Sequence, residues 1–398
     1  MKKTLIKFFS LIKLLKRFSF CSYQFTRNNK KDIIIFDDED IKSSLLLLKN
    51  FKKKIFVLKT RSYALSTIYL SPFVIYHTLK NILNGNLTFS AYLSAVILDV
   101  NPKIVVTIID NSFDFFNCAK ILGHKMKFLA IQRAARYDLL SYHKNMIKKI
   151  FIPEFLCFGD FERDFYKKIS AKVEKFTIVG SFKYSLFEKK IRFKKLKNRF
   201  DLCLIGEIPH DQVDKRFNFN EAGGKLANFS YRFAEKHKLK IVIAGKRAKL
   251  NLKDKIRYKG IIKTCPCEVE QKTYKRYIDG SFNLIPRTNF STYKIAMSSN
   301  VIIASTSTVL RELLAVGKKV LVCNFSNSNI GDFPIKGICF LKKSSYATFE
   351  KRLLNIISLK KQEYFKKLSS NKNYLMHYSK SNPAYKIIED RISSMLKI

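Results

Sequence analysis

Apolar, β-branched runs recur along this chain, with helical stretches between them. In the first half, such runs predict strands at Asp32–Phe36, Lys54–Leu58, Ile104–Ile109, Lys127–Ile131, Phe155–Phe158 and Phe176–Val179. The second half repeats the pattern at Asp201–Ile205, Lys240–Ala244, Phe282–Ile285, Val301–Ala304, Lys319–Cys323 and Ile338–Leu341. Because these runs are continuous rather than alternating, we expect strands covered on both faces, as in a parallel sheet. Intervening helices such as Phe229–His237 make the chain a β-α-β series.

The order of these elements predicts an α/β protein with two doubly wound, Rossmann-like domains and a C-terminal helical tail. We expect the N-terminal domain over residues 26–190 and the C-terminal domain over residues 191–347, joined by the basic segment Phe187–Phe200. The tail, residues 348–398, has a helical pattern with a last helix at Ala384–Leu396. Ligands of such folds bind at the carboxyl ends of the strands, here in the cleft between the domains.

Residues 1–25 have the pattern of a basic amphipathic helix. Polar side chains recur at helical spacing and apolar ones fill the opposite side: Lys3, Lys7, Ser10, Lys13 and Arg17 against Leu5, Phe8, Phe9, Ile12 and Leu15. Such a helix is suited to lie in an anionic membrane surface. A first helix packed on its own domain has the same pattern, so both interpretations stay open. No run approaches the ~18 apolar residues of a membrane span.

Composition and charge narrow the class of protein only partly. The 398 residues include 76 Lys+Arg and 31 Asp+Glu, and the formal net charge of +45 is compatible with binding to nucleic acid or to an anionic membrane. The excess is spread along the whole chain and is mostly Lys, among many Ile, Phe and Asn, which share A/T-rich codons. Charge alone therefore identifies no partner. The 47% of hydrophobic residues exclude general disorder.

The eight cysteines favour a reduced, cytosolic protein. Most lie in apolar runs, as Cys203 and Cys323 do, where a buried free thiol is the ordinary state. Cys265 and Cys267 form the one close pair. Neither a second pair nor a histidine at ligand spacing accompanies them, so we expect no zinc or redox site there.

The most informative stretch runs from Ser298 to Val322. A predicted buried strand leads into four hydroxyl residues, Ser305, Thr306, Ser307 and Thr308, and a helix from about Val309 follows. A helix N-terminus with such a turn is suited to bind a phosphate. Glu312 lies about one turn into the helix, where its carboxylate could accept hydrogen bonds from ribose hydroxyls, and Gly317 ends the helix. The alternative is an ordinary capped helix with a solvated glutamate.

This stretch resembles the nucleotide-sugar-binding segment of GT-B glycosyltransferases. The similarity includes the strand, the Ser/Thr turn, the helix with its Glu, and the sequence "A-x-G-K-K-V". It is strongest to bacterial surface-carbohydrate and lipopolysaccharide biosynthesis proteins, distant relatives of the CDP-glycerol glycerophosphotransferases. Asn101–Arg136 matches a second motif of that group, in which one strand ends in Asp-Asn and the next in Ile-Gln. "IVGSF" at Ile178–Phe182 matches a third, a Gly-Ser ahead of the domain crossing.

The resemblance implies roles for particular residues. The expected donor-binding residues are Gly206, Glu207, Arg287, Ser305, Thr306, Ser307, Thr308 and Glu312; the expected acceptor-binding residues are Asn111, Gln132 and Arg133. Asp110 is the candidate base that takes the acceptor hydroxyl proton, although Asp-Asn also caps helices. Weaker candidates are Asp138, His143, His210 and Asp211. No Asp-x-Asp pair demands a divalent metal, and relatives neutralise the leaving diphosphate with helix dipoles and basic side chains.

Three positions depart from the family pattern. We expect an acidic residue at the start of the Ser/Thr turn, a glycine at the start of the helix and Asn-Gly after Gln132. The chain has Ser305, Leu310 and Arg133-Ala134 instead. These departures concern the donor and acceptor sites, and they bear less on the fold than on activity.

The expected function is that of an enzyme, a GT-B transferase that moves a sugar, or a related group, from a nucleotide-activated donor to a lipid-linked or polysaccharide acceptor. It would need no metal or other cofactor and would work at the inner face of a bacterial plasma membrane. Two alternatives remain. One is a basic nucleic-acid-binding protein, although no RRM, KH, helix-turn-helix or zinc-finger signature occurs. The other is a GT-B protein that has lost its activity.

Overall fold

Two six-stranded parallel sheets form the framework of the protein. The computed structural model describes residues 21–61, 66–136, 144–191, 198–207, 218–249 and 266–397. Each strand predicted from the sequence overlaps an observed strand, and the ends differ by a few residues. The α/β architecture with two Rossmann-like domains is therefore confirmed.

The N-terminal half contains one sheet, its flanking helices and a short extra strand pair. Its elements are β1 (Ser22–Gln24), β2 (Ile33–Phe36), α1 (Ile41–Leu47), β3 (Ile55–Leu58), β4 (Thr67–Tyr69), α2 (Pro72–Leu83), α3 (Phe89–Val100), β5 (Ile104–Thr107), α4 (Phe113–Leu122), β6 (Lys127–Ile131), α5 (Lys144–Ile147), β7 (Phe151–Cys157), α6 (Asp160–Lys168), β8 (Lys172–Ile178) and α7 (Phe182–Ile191). The strand order is β3-β2-β5-β6-β7-β8, so the direction of winding reverses between β2 and β5.

The C-terminal half repeats this plan. Its elements are β9 (Phe200–Ile205), α8 (Phe219–Lys236), β10 (Ile241–Ala248), α9 (Pro266–Tyr274), β11 (Leu284–Arg287), α10 (Ser291–Met297), β12 (Ser299–Ala304), α11 (Thr308–Ala315), β13 (Lys319–Asn324), β14 (Phe340–Lys342), α12 (Tyr346–Ser358), α13 (Lys361–Lys366) and α14 (Ala384–Lys397). The order β11-β10-β9-β12-β13-β14 reverses between β9 and β12. The carboxyl ends of β9 and β12 therefore mark the crevice where ligands bind in such sheets.

Both faces of the N-terminal sheet are covered, as its continuous apolar runs predict. In β2, Ile34 and Phe36 belong to one core and Ile33 and Ile35 to the other, on the opposite face. All four side chains are buried. A parallel strand with helices on both sides needs this pattern, because successive side chains point to opposite faces.

Two features escape the sequence pattern. The strands β1 and β4 are three residues each and pair only with one another, too short to produce a periodic signal. Helix α8 is twice as long as the predicted helix at Phe229–His237. The prediction began too late because Gly223 and Gly224 disfavour a helix. The ring of Tyr277 explains Gly224, since a Cβ there would lie 2.2 Å from it.

The C-terminal tail belongs to both domains. Helix α12 packs into the C-terminal core, whereas α14 returns to the N-terminal domain. There Ile388, Ile392 and Met395 join the core of β2 and β5, and Arg391 forms an ion pair with Glu154 at 2.6 Å. The last helix thus completes the first domain.

Most of the N-terminal segment, residues 1–20, lies outside the described residues. The segment predicted as a helix over residues 1–25 includes Ser22–Gln24, and these residues form β1. Among the described helices, none combines the length and apolar character needed to cross a membrane.

Helix α14 yields a stability prediction. Ile392 is fully buried in the N-terminal core, so Ile392→Ala should lower the free energy of unfolding by about 2–5 kcal/mol. The matched control is Ile357→Ala, because Ile357 is 37% exposed on α12 and should cost much less. Urea unfolding of the full chain measures both. Equal losses would show that α14 is not part of the domain core.

Candidate functional site

Helix α11 lies where the two domains meet. Its first residue, Thr308, accepts a hydrogen bond through Oγ1 from the backbone N–H of Ala135 at 2.9 Å, in the loop after β6. Arg311 forms an ion pair with Glu162 of α6 at 2.7 Å. Glu312 accepts a hydrogen bond from the Ser181 hydroxyl, in the loop after β8. The carboxyl ends of N-terminal strands thus face the N-terminal turn of α11, and the predicted cleft lies here.

Glu312 is buried at this contact, 2% exposed. Ser181 holds its Oε1, and the Tyr293 side chain is a second polar neighbour. Its Oε2 makes no hydrogen bond of ordinary geometry to any described residue. Burial raises the pKa of Glu312 to about 7, against the lowering effects of Ser181, Tyr293 and Lys183. Burial therefore favours the protonated form of this carboxyl.

A small cavity adjoins Glu312. It is lined by Ser181, Tyr184 and Glu188, by the C-terminal end of α11, and by the segment from Met376 to Ser379. Its free volume of about 20 Å³ accommodates about one water molecule. A ribose would therefore need the two domains to separate slightly before it could reach Oε2.

The side chain of Glu207, which follows β9, reaches into the Ser/Thr turn ahead of α11. Its Oε2 accepts hydrogen bonds from the backbone N–H groups of Ser305 and Thr306, at 2.9 and 2.8 Å, and from the Ser305 hydroxyl at 2.8 Å. Ser307, the N-cap residue of α11, makes no side-chain capping hydrogen bond. A carboxylate thus occupies the donor groups that the sequence assigns to a phosphate. The turn binds an anion in this structure, and that anion belongs to the chain itself.

Lys183 lies within electrostatic reach of two arginines from other elements. Lys183 of α7 pairs with Asp40. Its pKa is lowered by burial, and the positive charges of Arg133 and Arg287 add to this effect while Asp40 opposes it. Arg133 follows β6, and Arg287 is the last residue of β11, so both lie at strand ends. Lys183 and Arg133 already pair with the carboxylates of Asp40 and Glu39, so an anion bound near them would share these cations.

Carboxylates of the N-terminal domain form ion pairs with several arginines of the same domain. Arg133 contacts Glu39 at 2.8 Å, and Arg61 contacts Asp37 at 2.8 Å. The predicted base, Asp110, is buried, and Arg136 holds both of its carboxylate oxygens. Asp110 therefore lies at the predicted strand end, where both of its carboxylate oxygens accept hydrogen bonds from Arg136.

The side-chain amide of Gln132 is held by hydrogen bonds within the protein. Its Nε2 donates to Glu162 Oε1 at 3.1 Å and its Oε1 accepts from the N–H of Phe158 at 2.8 Å. These bonds engage both ends of the buried amide and leave little of it for an acceptor. Asn111 is half-buried in the turn before α4. Gly206 packs against α9, since a Cβ there would lie 2.6 Å from Glu270 Oε1.

The remaining sequence candidates, Asp138, His143, His210 and Asp211, lie outside the described residues. Four further residues at the site carry no recognisable signal in the sequence, although each is close to a predicted residue in the chain or in space: Lys183, Tyr293, Glu162 and Arg311. Lys183 directly follows the quoted "IVGSF", and Arg311 directly precedes Glu312. Nothing in the local pattern distinguishes them from surface charges. Over the described part of the chain, no three His, Cys, Asp or Glu side chains form a cluster suited to a metal ion.

Comparison with known proteins identifies the fold. No protein-family model matches the sequence, and no curated protein sequence does. The structure is similar to that of UDP-GlcNAc 2-epimerase from Neisseria meningitidis bound to UDP-GlcNAc, with a TM-score of 0.51 and 13% identity over 91% of this chain and 99% of that one. It is also similar to S. aureus MnaA with UDP, with a TM-score of 0.54 and 11% identity over 93% and 97%. The shared feature is the GT-B-like fold of two Rossmann-like domains.

The raised pKa of Glu312 predicts a pH dependence. The folded state keeps a proton that the unfolded chain has lost between pH 4.5 and about 7. The stability of the wild type relative to Glu312→Gln should therefore fall as pH rises through this window, by up to about 3 kcal/mol. Urea unfolding of both proteins at a series of pH values measures the difference. A difference that is constant or grows with pH would contradict a buried, protonated carboxyl.

Proposed function

We propose that this chain binds a nucleotide-activated sugar in the cleft between its domains and transfers the sugar to an acceptor. The observation that carries the proposal is the Ser/Thr turn ahead of α11, whose N–H and hydroxyl groups hold a carboxylate at the reversal point of the C-terminal sheet. A diphosphate is the anion that such an arrangement suits best. Cationic side chains neutralise its charge, and a helix N-terminus at the reversal point of a parallel sheet offers N–H donors.

The fold supports a nucleotide as the source of this diphosphate. Both solved structures described above contain UDP or a UDP-sugar in the same two-domain architecture. In this chain the turn of Ser305, Thr306, Ser307 and Thr308 would contact the phosphates, and Arg287 would neutralise the charge that develops as the sugar–phosphate bond breaks. Glu312, whose carboxyl lies between Ser181 and Tyr293, is the proposed ribose contact once the domains separate.

The acceptor is proposed to bind to the N-terminal domain. Asp110 remains the candidate base, provided that the acceptor draws Arg136 away from it. An acceptor that carries a phosphate, as lipid-linked glycans do, would compete with Asp110 for the Arg136 guanidinium. Such an acceptor also fits a peripheral site at the inner face of the membrane, to which residues 1–25 would contribute through their basic amphipathic pattern.

Epimerisation of a nucleotide sugar is the second candidate, since UDP-GlcNAc 2-epimerases share the fold. The two reactions differ in their products. A transferase releases nucleoside diphosphate in proportion to an acceptor, whereas an epimerase converts the donor to an isomer without any acceptor. Binding of the nucleotide without either product would indicate a GT-B protein that has lost its activity.

Nucleotide binding provides the first test. UDP or CDP should raise the melting temperature of the full chain, and Arg287→Ala should weaken that binding by about threefold to tenfold, because charge-assisted hydrogen bonds to phosphate are lost. The matched control is Arg276→Ala, which removes an exposed arginine from the same domain. Thermal shift and calorimetry measure both. If no nucleotide shifts the melting temperature, the proposal fails; salt-sensitive RNA affinity in its place would favour a nucleic-acid-binding protein.

The position of Glu207 predicts that a second variant, Glu207→Gln, binds UDP more tightly than the wild type. A phosphate at the Ser/Thr turn has to displace the Glu207 carboxylate, so Glu207→Gln should tighten UDP binding several-fold by removing a like charge. Glu221→Gln, an exposed glutamate on α8, is the control and should leave the affinity unchanged. Calorimetric titration compares the three proteins. Weaker binding by Glu207→Gln would mean that Glu207 supports the site rather than competing with its ligand.

A further inference from the structure

Helix α2 carries a row of exposed apolar side chains on its outer face. Ile75 and Tyr76 are adjacent, and Leu79 and Leu83 follow at spacings of three to four residues, so all four lie toward one side of the helix. Leu83 is 86% exposed, and Leu87, in the loop that follows, is 80% exposed. Together with Phe89 at the start of α3, these residues are called the α2 patch. Exposure of so many neighbouring apolar side chains to water is unfavourable, and such a surface usually marks a binding site.

The opposite side of α2 is fixed to the protein. Val74 is buried, and α2 packs along α3, which is itself almost entirely buried. The strand pair β1 and β4 leads into the start of α2, and Phe25, just after β1, is 65% exposed. The helical part of the α2 patch, Ile75, Tyr76, Leu79 and Leu83, is therefore held against the N-terminal domain by the buried side of α2.

Basic side chains lie near α2, and one carboxylate, that of Asp114, accepts a hydrogen bond from Ser90 next to Phe89. Lys80 lies within α2, and the Arg27 guanidinium stacks on Phe73 at 4.2 Å. The pKa of His77, on the same helix, is lowered by partial burial and further by Lys80, Lys125 and Arg27. No Asp or Glu occurs between residues 41 and 98. The nearby carboxylate of Asp99 is buried against Arg27 and Asn28.

We propose that the α2 patch docks the protein on an anionic lipid surface, with its leucine and aromatic side chains inserted among the lipids and the nearby basic groups against the headgroups. Apolar insertion and attraction to anionic headgroups are the two contributions that strengthen such binding. A protein partner would have to supply a complementary acidic, apolar groove, and a second copy of this patch would bring like charges together. This inference deepens the proposed peripheral attachment, which rests on residues 1–25, and it does not depend on nucleotide binding.

Vesicle binding by the full chain tests the proposal. Vesicles of phosphatidylglycerol and phosphatidylcholine are compared with vesicles of phosphatidylcholine alone. The double variant Leu79→Ser/Leu83→Ser should bind the anionic vesicles about tenfold or more weakly than the wild type, because two inserted apolar side chains are lost. The matched control is Leu354→Ser/Ile357→Ser, which removes an exposed apolar pair from α12 in the other domain and should bind like the wild type.

Two further measurements separate the outcomes. Lys80→Gln, which leaves the apolar face intact, should weaken binding to anionic vesicles only, and high salt should remove that difference. The circular dichroism spectrum and the melting temperature without ligand should be the same for the wild type and the α2 variant, which shows that the variant is folded. The proposal is wrong if the wild type ignores anionic vesicles, if the α2 and α12 variants bind alike, or if the α2 variant changes the oligomeric state instead of vesicle binding.

Discussion

The buried ion pair between Arg311 and Glu162 is the constraint on which the arrangement of the two domains depends. Arg311 is 1% exposed and Glu162 2% exposed, so neither charge has water to replace its partner. Burial raises the pKa of Glu162, and the Arg311 guanidinium opposes this rise. Loss of one member of such a pair typically costs about 3–5 kcal/mol, because the other is left buried and unpaired. The domains therefore dock in a geometry that keeps these two side chains together.

The position of the candidate site follows from that docking. With Arg311 held by α6, the next residue, Glu312, faces Ser181, and the start of α11 faces the loop after β6. Lys183 then lies within electrostatic reach of Arg133 and Arg287, which come from different domains. The return of α14 to the N-terminal core strengthens the same arrangement, because the tail has to cross between the domains to reach it.

Internal carboxylates occupy the anion-binding positions of the C-terminal sheet. Glu207 accepts the N–H groups after β12, and Glu270 accepts those of Lys246 and Arg247 near the end of β10, at 2.9 Å each. Backbone donors at the ends of parallel strands attract negative charge whatever its source. These hydrogen bonds between backbone N–H groups and carboxylates stabilise the domain without a ligand. A phosphate bound at the same N–H groups would have to compete with the carboxylate side chains. The departures from the GT-B sequence pattern at Ser305 and Leu310 lie in this part of the structure.

Local sequence pattern determined the strands, the two β-α series, the helical tail and the Ser/Thr turn before α11. These features depend on periodicity and on turn chemistry within short stretches of chain. Only the tertiary structure decided which charges meet. Asp110 is paired with Arg136, Gln132 is engaged by Glu162, and Lys183 lies near cations that are remote in sequence. Pairing of charges depends on which strand ends adjoin, on burial and on domain docking, and none of these leaves a signal at the residue itself.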